Sequence, residues 1–105
     1  MKLLFDHGTP VPLRSALVGH SAETAYERGW STLGNGALLA AAEGASFDAL
    51  ITTDQNLPSQ QNLARRSIAV VVLPTTDWRQ IREHVVEIAL ALNAVQPGAS
   101  IRVDW

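Results

Sequence analysis

Residues 68–73, "IAVVVL", give the strongest strand signal in the chain. They are rich in β-branched valine and isoleucine, which favour strands, and they carry no polar residue on either face. A strand that is apolar on both faces belongs in the middle of a parallel sheet, because helices cover both sides of such a sheet. This stretch therefore predicts an α/β fold.

Strand and helix signals alternate on both sides of this stretch. The predicted strands are residues 2–5, 21–25, 47–53, 68–73 and 100–105. The predicted helices run from Pro10 to Gly19 with Thr9 as N-cap, from Asn35 to Gly44, over residues 58–66, and from Asp77 to Ala94. This alternation predicts a single three-layer α/β domain over residues 1–105, with a mostly parallel central sheet.

The composition is that of a folded globular chain, and it excludes several classes of protein. Of 105 residues, 47% are hydrophobic and 17% are charged, which suits one domain with one core. The absence of cysteine excludes disulfides and cysteine-ligated zinc, and it fits a reducing cytoplasm. No apolar run approaches the roughly 20 residues that cross a bilayer, and Asp6 interrupts the apolar start, so no signal peptide is expected. The net charge of −2 means that nucleic acid would have to bind through a local patch.

Two aspartates stand at the ends of predicted strands. Asp6 closes the first strand in "LFDHGTP", residues 4–10, and Asp54 closes another in "ALITTDQNLP", residues 49–58. Because ligands bind parallel sheets beyond the carboxyl ends of the strands, we expect both carboxylates at that edge. Adjacent carboxylates repel each other unless a cation lies between them, and Mg²⁺ or Mn²⁺ suits oxygen ligands. We therefore predict a divalent metal site at Asp6 and Asp54; the alternative is that each acid caps the helix that follows it.

Glu27 and Asn35 are further candidates for this site. Glu27 offers a third acid, but Thr24 and Glu27 also have the spacing of a helix capping box. Asn35 offers a neutral oxygen, but asparagine is also a good N-cap and a predicted helix begins there. For each residue the functional and the structural interpretation both stay open on the sequence.

Basic residues offer few phosphate ligands. Arg65 and Arg66 form the only adjacent basic pair, and they are either a solvated helix end or, if they lie near Asp54, ligands of substrate phosphates. His7 follows Asp6 and is a candidate ligand or general base, although successive residues of a strand point to opposite faces.

The last predicted strand alternates between apolar and polar residues. Its apolar side carries Ile101, Val103 and Trp105, which indicates a half-buried edge strand. Because an exposed apolar edge invites pairing, we predict a homodimer or a tight complex with a protein partner.

Three stretches occur in an order that resembles a known family. They are "LLFDHGTP", "GHSAETAYERGW" and "LGNGALLAAAEGASFDALITTDQNLP". Together, over roughly residues 2–75, they resemble the compact PIN-like proteins related to the toxins of bacterial type II toxin–antitoxin pairs. The matching positions are Asp6 and Pro10 for an aspartate and a following proline, Glu27-Arg28-Gly29 for a glutamate–leucine–glycine step, and Thr52-Thr53-Asp54 for a threonine–any–aspartate. At two positions where the family carries acids, this chain has Asn35 and Ala37.

The resemblance implies a metal-dependent endoribonuclease of the toxin–antitoxin type. It implies that Asp6, Asp54, Glu27 and Asn35 form the catalytic site, that the three acids among them bind Mg²⁺ or Mn²⁺, that RNA is the substrate and that a small antitoxin protein is the partner. The loss of two acids implies a weakened site. Nothing in the residues themselves separates RNA from DNA.

Two alternatives to a nuclease follow from the same residues. A PIN-like fold without activity would serve as a protein-binding module, and the missing acids favour that interpretation. A phosphoacceptor receiver domain is suggested by "TDQNLP", residues 53–58, which resembles the aspartate and following proline of that family. A receiver also needs an acidic pair after its first strand and a lysine near its last, but here His7 follows Asp6 and the only lysine is Lys2.

Overall fold

In the computed structural model, which describes residues 1–105, the chain forms five strands and five α-helices. The strands are β1 Lys2–Phe5, β2 Ser21–Thr24, β3 Ala49–Thr52, β4 Ala69–Val72 and β5 Ser100–Arg102. The helices are α1 Leu13–Ala16, α2 Asn35–Gly44, α3 Leu57–Gln60, α4 Trp78–Ile81 and α5 Val85–Ala94, with 3₁₀ turns at Leu63–Arg65 and Arg82–His84. The strands make one sheet in the order β2-β1-β3-β4-β5, and every pairing is parallel. None of the helices combines the length and the apolar character that crossing a bilayer requires.

Apolar side chains form two cores, one on each face of the sheet. All four residues of β4 are buried, as the doubly apolar stretch predicts. Ile51 and Val71 pack in the core beside α4 and α5, whereas Leu50 and Val70 pack in the core beside α2. Burying one such side chain fully stabilises the fold by about 1.5–3 kcal/mol. The predicted three-layer α/β architecture with a parallel central sheet is therefore confirmed.

The order of the strands reverses between β1 and β3, and we call the carboxyl end of this strand pair the crevice. The chain passes from β1 to β2 on one side and then crosses over to β3 on the other side of β1. Ligands of doubly wound sheets bind where the strand order reverses in this way, beyond the carboxyl ends of the strands. We call the rim formed by these strand ends the carboxyl edge, and the opposite rim the amino edge.

The first helix is shorter than predicted, and Thr9 does not cap it. Helix α1 begins at Leu13, its N-cap position is Pro12, and no side chain caps it. Because the residue before a proline is disfavoured in helical conformation, Pro12 keeps Val11 from joining the helix. The Thr9 hydroxyl instead donates to the carbonyl oxygen of Ile51 at 2.8 Å, which ties the loop after β1 to β3.

Two other predicted helices are interrupted. The helix predicted over residues 58–66 ends at Gln60, because Gln61 is extended, and a 3₁₀ turn replaces its second half. The long helix does begin where predicted, with the Asp77 carboxylate accepting the backbone N–H of Arg79 at 2.9 Å. Its second turn is the 3₁₀ segment Arg82–His84, after which α5 continues to Ala94.

The terminal strand is shorter than its alternating pattern suggests. Strand β5 ends at Arg102, and the Trp105 ring stacks on the His84 ring with centroids 4.3 Å apart. Val103 is 5% exposed and Trp105 37% exposed, so the chain itself covers much of the predicted apolar edge. The apolar surface that motivated a homodimer is therefore smaller than expected, and the homodimer stays a prediction.

Candidate functional site

Asp6 and Asp54 both lie at the carboxyl edge, one on each side of the crevice. Phe5 is paired with Ile51 across β1 and β3, and the backbone N–H of Asp6 continues this ladder to the Ile51 carbonyl at 3.0 Å. Asp6 therefore lies beside Thr52, and Thr52 precedes Asp54 by two residues. Because alternate residues of a strand share a face, Asp6 and Thr52 lie on the face covered by α2, as Leu4 and Leu50 do.

The side chain of Thr52 connects the two aspartates. Its hydroxyl donates to Oδ2 of Asp6 at 2.9 Å and accepts the backbone N–H of Asp54 at 3.1 Å. Thr52 is 0% exposed, so a buried hydroxyl without these partners would be costly. The hydroxyl thus fixes the Asp6 carboxylate relative to the loop that carries Asp54.

The carboxylate of Asp6 is held on both oxygens. Its Oδ1 accepts the backbone N–H of His7 at 2.8 Å, and its side chain is only 13% exposed. The His7 imidazole is 64% exposed, and its Nδ1 lies 3.5 Å from the same Oδ1. His7 is therefore a neighbour of Asp6 that reaches solvent.

The carboxylate of Asp54 is held by two asparagines. Its Oδ1 accepts the backbone N–H of Asn56 at 2.9 Å, and its Oδ2 accepts the side-chain amide of Asn35 at 3.1 Å. Asn35 is the first residue of α2, whose N-cap position is Gly34, and no side chain caps the helix. The interpretation of Asn35 as an N-cap is therefore wrong; its amide contacts the aspartate instead.

Glu27 has a structural role away from Asp54. Its Oε1 accepts the backbone N–H of Thr24 at 2.9 Å, and its own N–H donates to the Thr24 hydroxyl at 3.0 Å, which is a capping box. The guanidinium of Arg14 also pairs with its carboxylate. No group of three acidic or histidine side chains that could hold a metal ion is seen in the structure, and the three-acid set of Asp6, Asp54 and Glu27 stays a prediction.

The two adjacent arginines precede β4, and the guanidinium of Arg66 donates to the carbonyl oxygen of Gly36, next to Asn35, at 3.3 Å. Their predicted contact with phosphates beside Asp54 stays a prediction. Arg66 precedes β4 and pairs with Glu43 at 2.6 Å. A Cβ on Gly98, just before β5, would lie 3.0 Å from the Arg66 carbonyl oxygen, which places this segment beside the starts of β4 and β5. Arg65 ends the 3₁₀ turn of the same segment and is exposed. The chain returns from α3 to the start of β4 here, as every parallel crossover must.

Three residues contribute to the site without having been singled out from the sequence. The sequence indicated Thr52 only as part of a threonine–any–aspartate pattern. In the structure its hydroxyl bonds to the Asp6 carboxylate and to the backbone N–H of Asp54. A Cβ on Gly8 would lie 2.0 Å from Oγ1 of Thr53, so the loop after β1 packs directly on the loop after β3. Arg14 of α1 pairs with Glu27 in the loop after β2, a contact that no local sequence pattern predicts.

Acid should weaken the fold through Glu27. The Thr24 N–H and then the Arg14 guanidinium hold the pKa of Glu27 below its usual value of 4.5. A carboxylate with a lowered folded-state pKa stabilises the fold above its unfolded-state pKa and ceases to do so as pH falls through the folded value. We expect Glu27→Gln to be less stable than wild type at neutral pH, and the difference to disappear as the pH falls through the lowered pKa of Glu27 in the folded state.

Urea unfolding across this pH range measures the effect. Glu83→Gln is the matched control, because Glu83 is an exposed glutamate without an ion pair. If Glu27→Gln lowers the free energy of unfolding by the same amount at neutral and at acidic pH, the side chain contributes by its shape and not by its charge.

Comparisons with family models, with curated proteins and with solved structures each found no match for this chain.

Proposed function

We propose that this chain is a PIN-like, metal-dependent ribonuclease whose centre is formed by Asp6 and Asp54. The observation that carries the proposal is the joint placement of two carboxylates on either side of the crevice, linked by the buried hydroxyl of Thr52. Aspartates that merely capped helices would not need to converge at the point where doubly wound sheets bind their ligands.

The donor atoms of the crevice fit a hard divalent cation. Asp6 and Asp54 supply carboxylate oxygens, and each oxygen accepts one hydrogen bond and keeps further lone-pair capacity. Mg²⁺ and Mn²⁺ prefer such oxygen ligands and keep several waters. Asp6 and Asp54 would hold the ion, and Asn35 would add its amide oxygen after a turn of its amide group. Glu27 is not needed in this arrangement and stays with Arg14.

The chain's own residues orient the reacting groups. A bound divalent ion would supply Lewis-acid polarisation of the scissile phosphate and a more acidic water. Thr52 and the His7 N–H keep the Asp6 carboxylate in one orientation, and Asn35 and Asn56 do the same for Asp54. The exposed imidazole of His7 lies beside the Asp6 carboxylate, where it would be open to solvent and substrate.

The substrate and partner in this proposal come from the resemblance. RNA is proposed as the substrate and a small antitoxin protein as the partner, and an RNA substrate would place the protein in the cytoplasm. With a net charge of −2, substrate phosphates would be bound mainly by the cation at the aspartates, and Arg65 and Arg66 stay proposed phosphate ligands.

Asn35→Asp should strengthen the centre, because it restores a third negative oxygen ligand. Without metal, the new carboxylate replaces a donor 3.1 Å from Oδ2 of Asp54, so the variant should lose stability, by about 1 kcal/mol for the lost hydrogen bond. With saturating Mn²⁺ the variant should become more stable than wild type. Its Mn²⁺ affinity and its rate of RNA cleavage should each exceed those of wild type on the order of tenfold.

Calorimetric titration of Mn²⁺ and cleavage of a mixed RNA pool test the proposed function directly. Asn62→Asp is the matched control, because it adds the same charge at an exposed position before the 3₁₀ turn at Leu63. If wild type and Asn35→Asp both bind no Mn²⁺ and cleave no RNA, the aspartate pair is not a metal centre and the ribonuclease proposal fails; if both are active to the same extent, Asn35 is not a ligand.

A non-catalytic protein-binding module is the second candidate, and one observation favours it. Glu27 is held by Arg14 and Thr24, so the centre has two acids where the related proteins use more. A chain that binds no divalent ion and cleaves no RNA would be such a module. A receiver shares the order of strands, but the single lysine, Lys2, donates to the carbonyl of Ala45 at the amino edge, far from the carboxyl edge where a receiver needs it.

A further inference from the structure

A cavity of about 400 Å³ is lined by Asp6 and His7 of the proposed site, and the proposed chemistry gives no role to the rest of its lining. It lies between the loop after β1 and the loop after β2. Its floor is made by Phe5 and Ala25, which are buried, and Tyr26 stands at its rim with 81% of the residue exposed. The volume falls within the roughly 300–1,000 Å³ of small-molecule sites. The cavity therefore has the size and the apolar floor to take a ring.

Charges around the cavity select against an anion. Two carboxylates, those of Asp6 and Glu27, line it together with one guanidinium, that of Arg14. A phosphate or carboxylate ligand would meet this excess of negative charge and be repelled. A neutral ligand with hydrogen-bond donors fits better, because carboxylate oxygens only accept.

The pair of Arg14 and Glu27 leaves hydrogen-bonding capacity on the carboxylate. Oε2 of Glu27 accepts only a long bond of 3.4 Å from Arg14, so it has room for a second donor. A ligand edge that carries a hydrogen-bond donor would match this oxygen.

We propose that the cavity binds one unstacked nucleobase that carries an exocyclic amine: adenine, cytosine or guanine. The base stacks on the exposed ring of Tyr26 and donates its amine to Oε2 of Glu27, as single-stranded bases do in sites that read their edges. This inference rests on the proposed ribonuclease, since the base would belong to the RNA strand whose phosphate lies at Asp6. It makes cleavage dependent on the base next to that phosphate.

Binding of the four uncharged nucleosides tests the cavity without metal or cleavage. With the full chain in EDTA, saturation-transfer NMR and calorimetry should show binding of adenosine, cytidine and guanosine, and uridine should bind at least about fivefold more weakly. Tyr26→Ala should weaken binding by about tenfold or more. Tyr26→Phe should bind as wild type does, because the ring and not the hydroxyl makes the stack. Tyr26 is exposed, so its truncation leaves both cores intact.

The outcomes separate the cavity from the nuclease. Nucleoside binding that depends on Tyr26, in a protein that cleaves no RNA, supports the cavity and ends the ribonuclease proposal. If wild type and Tyr26→Ala cleave all four RNA homopolymers at equal rates, the proposal of base binding in the cavity is overturned and the ribonuclease proposal is supported. Absence of nucleoside binding also overturns it, and that is the result expected if the cavity instead receives an apolar side chain of a protein partner.

Discussion

Asp54→Asn should lower RNA cleavage by about 100-fold or more and remove most of the stabilisation that Mn²⁺ gives the wild type. A ligand that binds only the folded state raises the melting temperature, so the rise reports metal binding directly. Asp54 supplies one of only two carboxylates in the crevice, and its loss leaves Asp6 as the single charged ligand. Because no third carboxylate compensates for the lost charge, we expect the losses of metal binding and of cleavage to be large.

The substitution should leave the fold nearly unchanged. The Oδ1 atom of the new asparagine still accepts the N–H of Asn56, which Asp54 accepts at 2.9 Å. Asn35 can turn its amide and offer an oxygen to the new amide group in place of the present donor. A loss of cleavage in Asp54→Asn therefore reports the charge and not the local structure.

Melting curves with and without Mn²⁺, followed by single-turnover cleavage of RNA, measure both effects. Asp104→Asn is the matched control, since Asp104 is an exposed aspartate near the end of the chain. If Mn²⁺ raises the melting temperature of Asp54→Asn as much as that of wild type, the ion binds elsewhere, and the crevice loses its proposed role.

The sequence predicts the parallel sheet and the placement of the two aspartates at one edge for one physical reason. A strand that is apolar on both faces, as residues 68–73 are, must be covered by helices on both sides, and parallel strands then end at one edge. Asp6 and Asp54 each follow such a strand, so local position alone brings them to that edge. Element type and strand ends are local properties, and local patterns suffice for them.

The surroundings of the aspartates depend on contacts between distant segments, and the sequence left these open. Of the two interpretations of Asn35, the structure supports the one beside Asp54, because the preceding glycine occupies the cap position. The guanidinium of Arg66 contacts Glu43 and the carbonyl oxygen of Gly36, both on α2. Such contacts join residues 19 to 30 positions apart, so the spacing of residue types within one segment does not specify them.

Gly8→Ala should destabilise the fold by about 1–3 kcal/mol, the usual cost of overpacking a filled site. A Cβ at this position would lie 2.0 Å from Oγ1 of Thr53, 3.3 Å from its Cβ and 3.1 Å from Cγ2 of Thr76. Turning the threonine about its Cα–Cβ bond relieves only the first contact, so the loop after β3 has to move. That loop carries Asp54, so Mn²⁺ should also bind more weakly to the variant.

Gly44→Ala separates this clash from the general effect of replacing a glycine. A Cβ on Gly44 meets no atom within 4 Å, and this residue ends α2, so alanine there should be neutral or slightly stabilising. Combining Gly8→Ala with Thr53→Ala completes a double-mutant cycle, in which removal of the threonine oxygen should recover part of the lost stability. Urea unfolding of the four proteins in the cycle gives the coupling energy. A Gly8→Ala protein as stable as Gly44→Ala would mean that the two loops do not pack together, and the geometry that joins Asp6 to Asp54 would have to be abandoned.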